Sequence, residues 1–258
     1  FYVDNHGGTC KVVPPDENFL PDMEIFRSSI NSNTRGVLIN SPNNPSGIVY
    51  GDETLSEMCR IIKEKEVEFG TEIYLVSDEP YRKIISDNLE YTHIVEYHDR
   101  SIVATSHSKD LALPGERIGY IAVNPSCPDI EELVDGLVFC NRTLGFVNAP
   151  ALIQHLIAHL QDTTIDVRVY EKKRDYLYKE LTNMGYSLIK PQGAFYMFPK
   201  SPIEDDVQFT EELKENRVLV VPGRGFGLPG YFRISYCMED ATIKGSLEGL
   251  EKTISKYR

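Results

Sequence analysis

A lysine and an arginine eight residues apart carry the most specific chemistry in this chain. Lys109 closes Ser106-His107-Ser108-Lys109, and Arg117 lies in Pro114-Gly115-Glu116-Arg117-Ile118-Gly119-Tyr120. A lysine on its own is ordinarily a solvated side chain. An amine with a cation nearby, among glycines, is different. A cofactor that has both an aldehyde and a phosphate needs an amine nucleophile and a cation close together.

Three more clusters could share a site with that pair. Ser77-Asp78-Glu79-Pro80-Tyr81 ends an apolar run. In open α/β sheets ligands sit at the carboxyl ends of strands. Asp78 therefore reads as a binding group, with Tyr81 facing the same pocket, or equally as the cap of a following helix. Ser41-Pro42-Asn43-Asn44-Pro45-Ser46-Gly47 follows another apolar run and by composition alone is a turn. Tyr231-Phe232-Arg233-Ile234-Ser235-Tyr236 sets one arginine in an otherwise apolar strand. Burying it is costly without a partner. That partner is either an internal carboxylate or a substrate carboxylate held bidentately.

The elements that must position these residues follow from the apolar spacing. Val37-Leu38-Ile39 and Ile73-Tyr74-Leu75-Val76 read as buried strands, and 101–105 and 118–123 as two more. Between the first two, 55–69 carries apolar residues at helical spacing, with Asp52 as a cap and Gly70 just past the end. Strands alternating with helices predict parallel crossovers and an α/β layered sheet. Gly7-Gly8 reads as a turn leading to a strand at 11–13. From about Pro150 the pattern changes. A long helical stretch over 151–183 breaks near Asp162-Thr163-Thr164. Short strands follow at 186–189, 195–198, 218–221 and 232–236, with helices at 209–216 and from 240. This is an α+β arrangement and predicts a second, smaller domain, giving 1–165 and 166–258.

Composition bounds the partners. The chain has 258 residues, 41% hydrophobic and 26% charged, enough to bury a real core. A net charge of −12 argues against nucleic acid, which needs clustered Lys and Arg. The five cysteines are scattered and form no Cys-x-x-Cys pair, so they suggest neither zinc ligands nor a disulfide framework, and a cytoplasmic setting is the simpler expectation. No apolar run has the length of a membrane span, and Phe1-Tyr2-Val3-Asp4-Asn5 does not read as a signal peptide.

Taken in order, Asn44-Pro45-Ser46-Gly47, Asp78-Glu79-Pro80-Tyr81, Ser106-His107-Ser108-Lys109 with Arg117, and Phe232-Arg233-Ile234-Ser235 resemble the class I/II aminotransferases, the fold-type I pyridoxal phosphate enzymes. Pro191-Gln192-Gly193-Ala194-Phe195-Tyr196 and Val220-Val221-Pro222-Gly223 match that family's smaller domain as well. The resemblance covers essentially the whole chain. It implies an α/β fold: part of the large domain's three-layer, mostly parallel sheet, plus a smaller α+β C-terminal domain.

The resemblance also implies roles. Lys109 would carry pyridoxal 5'-phosphate as a Schiff base and move the proton between the substrate Cα and the cofactor. Asp78 would pair with the pyridinium nitrogen. Asn44 and Tyr81 would hydrogen-bond the phenolic oxygen. Ser106 and Arg117 would hold the phosphate, and Arg233 the substrate α-carboxylate. The implied activity is transfer of an amino group between an α-amino acid and a 2-oxo acid, in a homodimer when full length. A carbon–sulfur β-lyase or another amino-acid lyase of the same fold is the nearest rival, and a non-catalytic fragment is the rival of another class. The family's phosphate-cradling loop and ring-stacking aromatic have no match here and are expected upstream of Phe1. His107 stands where the family often has an aromatic or small residue. Arg142 reads as a surface or interface arginine, and Arg224 as a loop residue near the site mouth.

Overall fold

Period-two alternation in the strands and a one-sided apolar stripe on a helix produce the first core. The computed structural model describes residues 3–258; Phe1 and Tyr2, on which the signal-peptide reading begins, lie outside them. The elements are α1 (Met23–Ser29), β1 (Gly36–Asn40), α2 (Asp52–Phe69), β2 (Tyr74–Asp78), β3 (Ser101–Ser106), a single turn α3 (His107–Asp110) and β4 (Gly119–Val123). Then come α4 (Ile130–Thr143), α5 (Ala151–Ala158), α6 (Val167–Asn183), β5 (Tyr196–Met197), α7 (Asp206–Glu215), β6 (Val221–Pro222), β7 (Phe232–Ser235) and α8 (Asp240–Ile254). Leu55, Met58, Cys59, Ile61 and Ile62 of α2 pack with Phe26 and Ile30 against Ile39, Ile73, Leu75 and Val103. Leu38, one residue out of phase on β1, is 70% exposed.

The first sheet runs β1-β2-β3-β4, parallel through β3, with Ile39 opposite Ser77 and Ser77 opposite Val103. The α/β class is as the sequence reads it. β4 departs from the expected parallel crossovers and runs antiparallel to β3. Its connection, residues 107–118, is spent on the lysine turn and a short 3₁₀ turn, with no crossover helix to bring a strand back parallel.

Other boundaries also shift. Gly70 ends α2 in the left-handed conformation (φ 61°), as expected. Asp52 is the first helical residue rather than the cap, and its carboxylate accepts from the Tyr97 hydroxyl. No strand forms at 11–13, where Pro14 and Pro15 follow and have no N–H to donate. None forms at 186–189, which offers Lys200 N one carbonyl, Ser187 O, at 2.8 Å. The expected 218–221 strand shrinks to the two residues of β6. The helix α4, which the apolar spacing did not single out, buries none of its residues. Among the described residues no helix is long and apolar enough to cross a membrane.

A second core gathers Leu177, Leu181, Phe209, Leu213, Phe232, Tyr236 and Leu250 around the antiparallel sheet β5-β7-β6. Tyr81 and Ile84, from the segment after β2, enter this same core. Two devices lock that junction. Arg174 of α6, fully buried, reaches Asp87 at 2.8 and 2.9 Å, Asp175 at 2.9 Å and the Pro191 carbonyl at 3.1 Å. The second is a backbone zipper. Gly47 O accepts from Gln192 N and Gly193 N, both at 2.9 Å; Ser86 N donates to Gln192 O at 2.8 Å, and Ala194 N to Ile84 O at 2.9 Å. A Cβ on Gly193 would stand 2.8 Å from Pro42 Cβ and 2.9 Å from the Ile84 carbonyl, so only glycine allows this approach. Gly193→Ala is expected to cost about 1–3 kcal/mol, the usual penalty of overpacking. Urea unfolding measures it, and an unchanged midpoint with unchanged slope would show that the zipper can open without loss.

Candidate functional site

Three strands deliver their last residues to one edge: Asn40 ends β1, Asp78 ends β2 and Ser106 ends β3. Asn40 sits directly opposite Asp78 in the ladder. Its Nδ2 donates to the Asp78 carbonyl (2.9 Å) and to Asp78 Oδ2 (3.1 Å), while its Oδ1 accepts from Asn44 N (2.7 Å). One side chain thus orients both the acid and the loop residue. Asp78 faces solvent at the strand end, but the walls around it raise its pKa by desolvation, and the Asn40 hydrogen bond opposes that rise. The cap reading of Asp78 finds no support: no helix starts after β2, and turn residues follow.

Tyr81 turns inward. It is buried, its hydroxyl 3.0 Å from that of Tyr196, and its ring stands edge-on to Phe195 and Tyr196 at 5.4 and 5.8 Å. Burial, then the Tyr196 hydroxyl, push the Tyr81 phenol above its ordinary pKa, so it remains a neutral donor across the physiological range. Lys109, half-buried on α3, places Nζ 5.7 Å from the centre of the same Phe195 ring. Among the described residues its ammonium has no ion-pair partner.

Arg233 closes the other side. Nη1 donates to Asn44 Oδ1 at 2.8 Å, and the guanidinium lies 4.4 Å from the Tyr196 ring centre and 4.7 Å from that of Phe226. The two candidate partners read from the sequence are thereby narrowed: no internal carboxylate pairs with Arg233 among the described residues. A continuous chain of contacts joins Lys109, Phe195, Tyr81, Tyr196, Arg233, Asn44, Asn40 and Asp78.

Ser106 and Arg117 are brought to adjoining backbone but not to each other's side chains. Ser106 pairs with Gly119, and His107 N donates to Ile118 O at 3.1 Å. A Cβ on Gly119 would fall 2.3 Å from the Thr105 carbonyl. Arg117 is exposed, in the left-handed region (φ 51°), and its guanidinium donates back to the Pro114 carbonyl at 2.9 Å. Arg142 is exposed on α4. Arg224 is committed to the start of α7, its N and Nε donating to Asp206 at 2.7 and 3.1 Å.

Residue-by-residue reading missed Asn40, Phe195, Tyr196 and Phe226. Asn40 had one signal, a polar residue closing an apolar strand. Phe195 and Tyr196 stood in a recognised motif without a role, and Phe226 had no signal.

The family profile described as "Aminotransferase class I and II" matches residues 2–250. A probable aspartate aminotransferase of Methanocaldococcus jannaschii is 34% identical over 257 residues, covering 96% of this chain and 65% of that protein. A probable N-acetyl-LL-diaminopimelate aminotransferase of Bacillus subtilis is 29% identical, covering 91% of this chain and 59% of its own length. Among solved structures, an amino transferase from Eubacterium rectale superposes with a TM-score of 0.96 at 43% identity, over 100% of this chain and 65% of the other. The chain thus spans just under two thirds of the length of the first of these relatives.

The desolvated Asp78 gives a prediction with a definite sign. A carboxyl whose folded pKa lies above its unfolded value binds its proton more tightly when folded. Its contribution to stability is therefore fully present at low pH and lost as pH rises through the folded value. Asp78→Asn is expected to raise the melting temperature of the chain at pH 7 and to leave it unchanged near pH 3. Scanning calorimetry at the two pH values checks this, and destabilisation at pH 7 would contradict it.

Proposed function

The chain belongs to the class I and II aminotransferases, and from that premise we propose that it holds pyridoxal 5'-phosphate on Lys109 and moves an amino group between an α-amino acid and a 2-oxo acid. The observation that carries the reading is a pair of cations, Lys109 and Arg233, that have no carboxylate partner among the described residues and contact rings of one aromatic cluster. The buried or half-buried cations of an ordinary core find acids, as Arg174 does with Asp87 and Asp175. These two are left for something the chain does not itself supply.

The residues present fit the cofactor. Lys109 is a half-buried amine with no ion pair to break among the described residues. Asp78 offers Oδ1, which accepts no hydrogen bond from a described residue, while Asn40 holds Oδ2. When bound, pyridoxal phosphate supplies an aldehyde that takes up amines and a ring that draws electrons from the substrate Cα. The protein's part is to bind, orient and move protons. The Asp78 carboxylate would keep the ring nitrogen protonated. Asn44 and the neutral Tyr81 phenol would donate to the ring oxygen, and Ser106 with Arg117 would take the phosphate. Arg233, already held by Asn44 and flanked by two rings, would present its remaining N–H groups to the substrate α-carboxylate. Lys109 Nζ, once displaced by the substrate amine, is the base that would carry the proton away from Cα.

The relatives' names differ in substrate side chain, including aspartate and N-acetyl-LL-diaminopimelate. They share the α-amino acid unit, and that shared unit is what Arg233 and Lys109 address. The proposal therefore names α-amino acids and 2-oxo acids as the substrate class.

Two measurements test it. Pyridoxal phosphate added to the chain should give a visible absorption band that is absent from Lys109→Ala. An amino donor should then yield pyridoxamine phosphate together with a 2-oxo acid. Release of pyruvate and ammonia with no pyridoxamine phosphate would instead establish a lyase, and no band at all would establish a non-catalytic chain. Arg233→Lys, which loses the planar fork, is expected to raise KM for both substrates roughly 10- to 100-fold, with the cofactor band intact.

A further inference from the structure

The turn that carries Lys109 is braced from behind by the residue that follows it. Asp110 is 7% exposed and His107 5% exposed, so both are buried in the shell around the lysine. His107 Nδ1 lies 3.2 Å from Asp110 Oδ2, and facing a carboxylate that nitrogen carries the hydrogen and donates. Lys83 Nζ stands 3.9 Å from the same oxygen and donates to the carbonyls of Gln161 (2.7 Å) and Thr163 (3.4 Å). The Asp110 carbonyl accepts from Ile165 N at 2.8 Å and from Thr164 Oγ1 at 3.2 Å. Three stretches therefore meet at one residue: the lysine turn, the segment that follows Tyr81, and the connection from α5 to α6. Behind His107 lie the Tyr120 ring at 6.0 Å and, on that ring, the Arg82 guanidinium.

One feature makes this more than packing. Asp110 Oδ1 is buried with no hydrogen-bond partner among the described residues. For stability alone that is a poor arrangement, and unsatisfied buried groups call for a reason in function.

We infer that His107 and Asp110 are positioning residues for Lys109: their buried contact, braced by Lys83 and by residues 161–165, fixes the pose of the lysine turn and ties that pose to the start of α6. The inference rests on the reading of Lys109 as the cofactor amine. A small displacement of such an amine is enough to lose much of its effect.

The test uses the whole chain, with His107→Phe and Asp110→Asn as disrupting variants and His107→Asn, whose amide can still donate to Oδ2, as rescue. In the cofactor-free chain, hydrogen exchange followed by mass spectrometry should show peptides covering 105–113 and 160–166 losing protection together, about five- to tenfold, while α2 is unchanged. With pyridoxal phosphate added, the disrupting variants should bind about tenfold more weakly, and the pH midpoint of the bound cofactor's visible band should move; His107→Asn should restore both. If Asp110→Asn does not fold, His107→Phe with its rescue decides. Exchange altered in the lysine turn alone, or wild-type affinity and midpoint in the disrupting variants, overturns the inference. A wild-type chain that shows no band counts against the Lys109 reading instead, and the paired exchange then still decides whether the clamp exists.

Discussion

The geometry of this molecule depends on a short stretch of backbone pairing between parts of the chain far apart in sequence. Residues 192–194 hydrogen-bond to Gly47, Ile84 and Ser86, which tie the loop after β1 and the segment after β2 to the entrance of the second core. Each such bond is worth only about 1 kcal/mol net. Their importance is positional. They set Phe195 and Tyr196 against Tyr81, and through Tyr196 they set Arg233 across from Lys109. With the Arg174–Asp87 pair, they hold together the parts of the chain that carry the two cations.

The distribution of charge follows the same division. The chain carries a net charge of −12, so acids are abundant, but the fold assigns them elsewhere. Arg174 takes Asp87 and Asp175, Arg224 takes Asp206, and Arg60 takes Glu57 and Glu64 on the surface of α2. Arg174 lowers the Asp87 carboxyl from its ordinary pKa, as befits a structural acid. Asp78 moves the other way, raised by its walls, and it faces the edge where Asn40, Asn44 and Ser106 gather. A carboxylate kept short of partners costs stability, and such costs mark places where the fold serves something other than itself.

Much of this was legible in the sequence because the signals are local. The strands β1 to β3, the glycine that ends α2 and the break between α5 and α6 all follow from spacing and turn chemistry within a few residues. Asp78, Asn44 and Ser106 could be named as candidates because they sit at or just after strand ends, which are local events; the roles expected of them came from the resemblance. What escaped depends on distance. Tyr196 matters because it touches Tyr81, 115 positions away. Phe226 matters because it flanks Arg233 across a turn. Whether Arg233 met an internal acid could not be read from residues 231–236 alone. The direction of β4 also escaped, since an apolar run looks the same whichever way it runs, and only the short connection decides it.

The fixed pose of Arg233 bears on how tightly it would hold a small anion in its proposed role. An arginine on an open surface samples many rotamers, and a ligand that fixes it must meet that ordering cost. Here the rings of Tyr196 and Phe226 and the amide oxygen of Asn44 have fixed the guanidinium before any ligand arrives. The entropy is lost once, at folding, and not again at each encounter. On the proposed role of Arg233, a substrate carboxylate would meet a rigid fork, and its binding should show a small entropic penalty for its size.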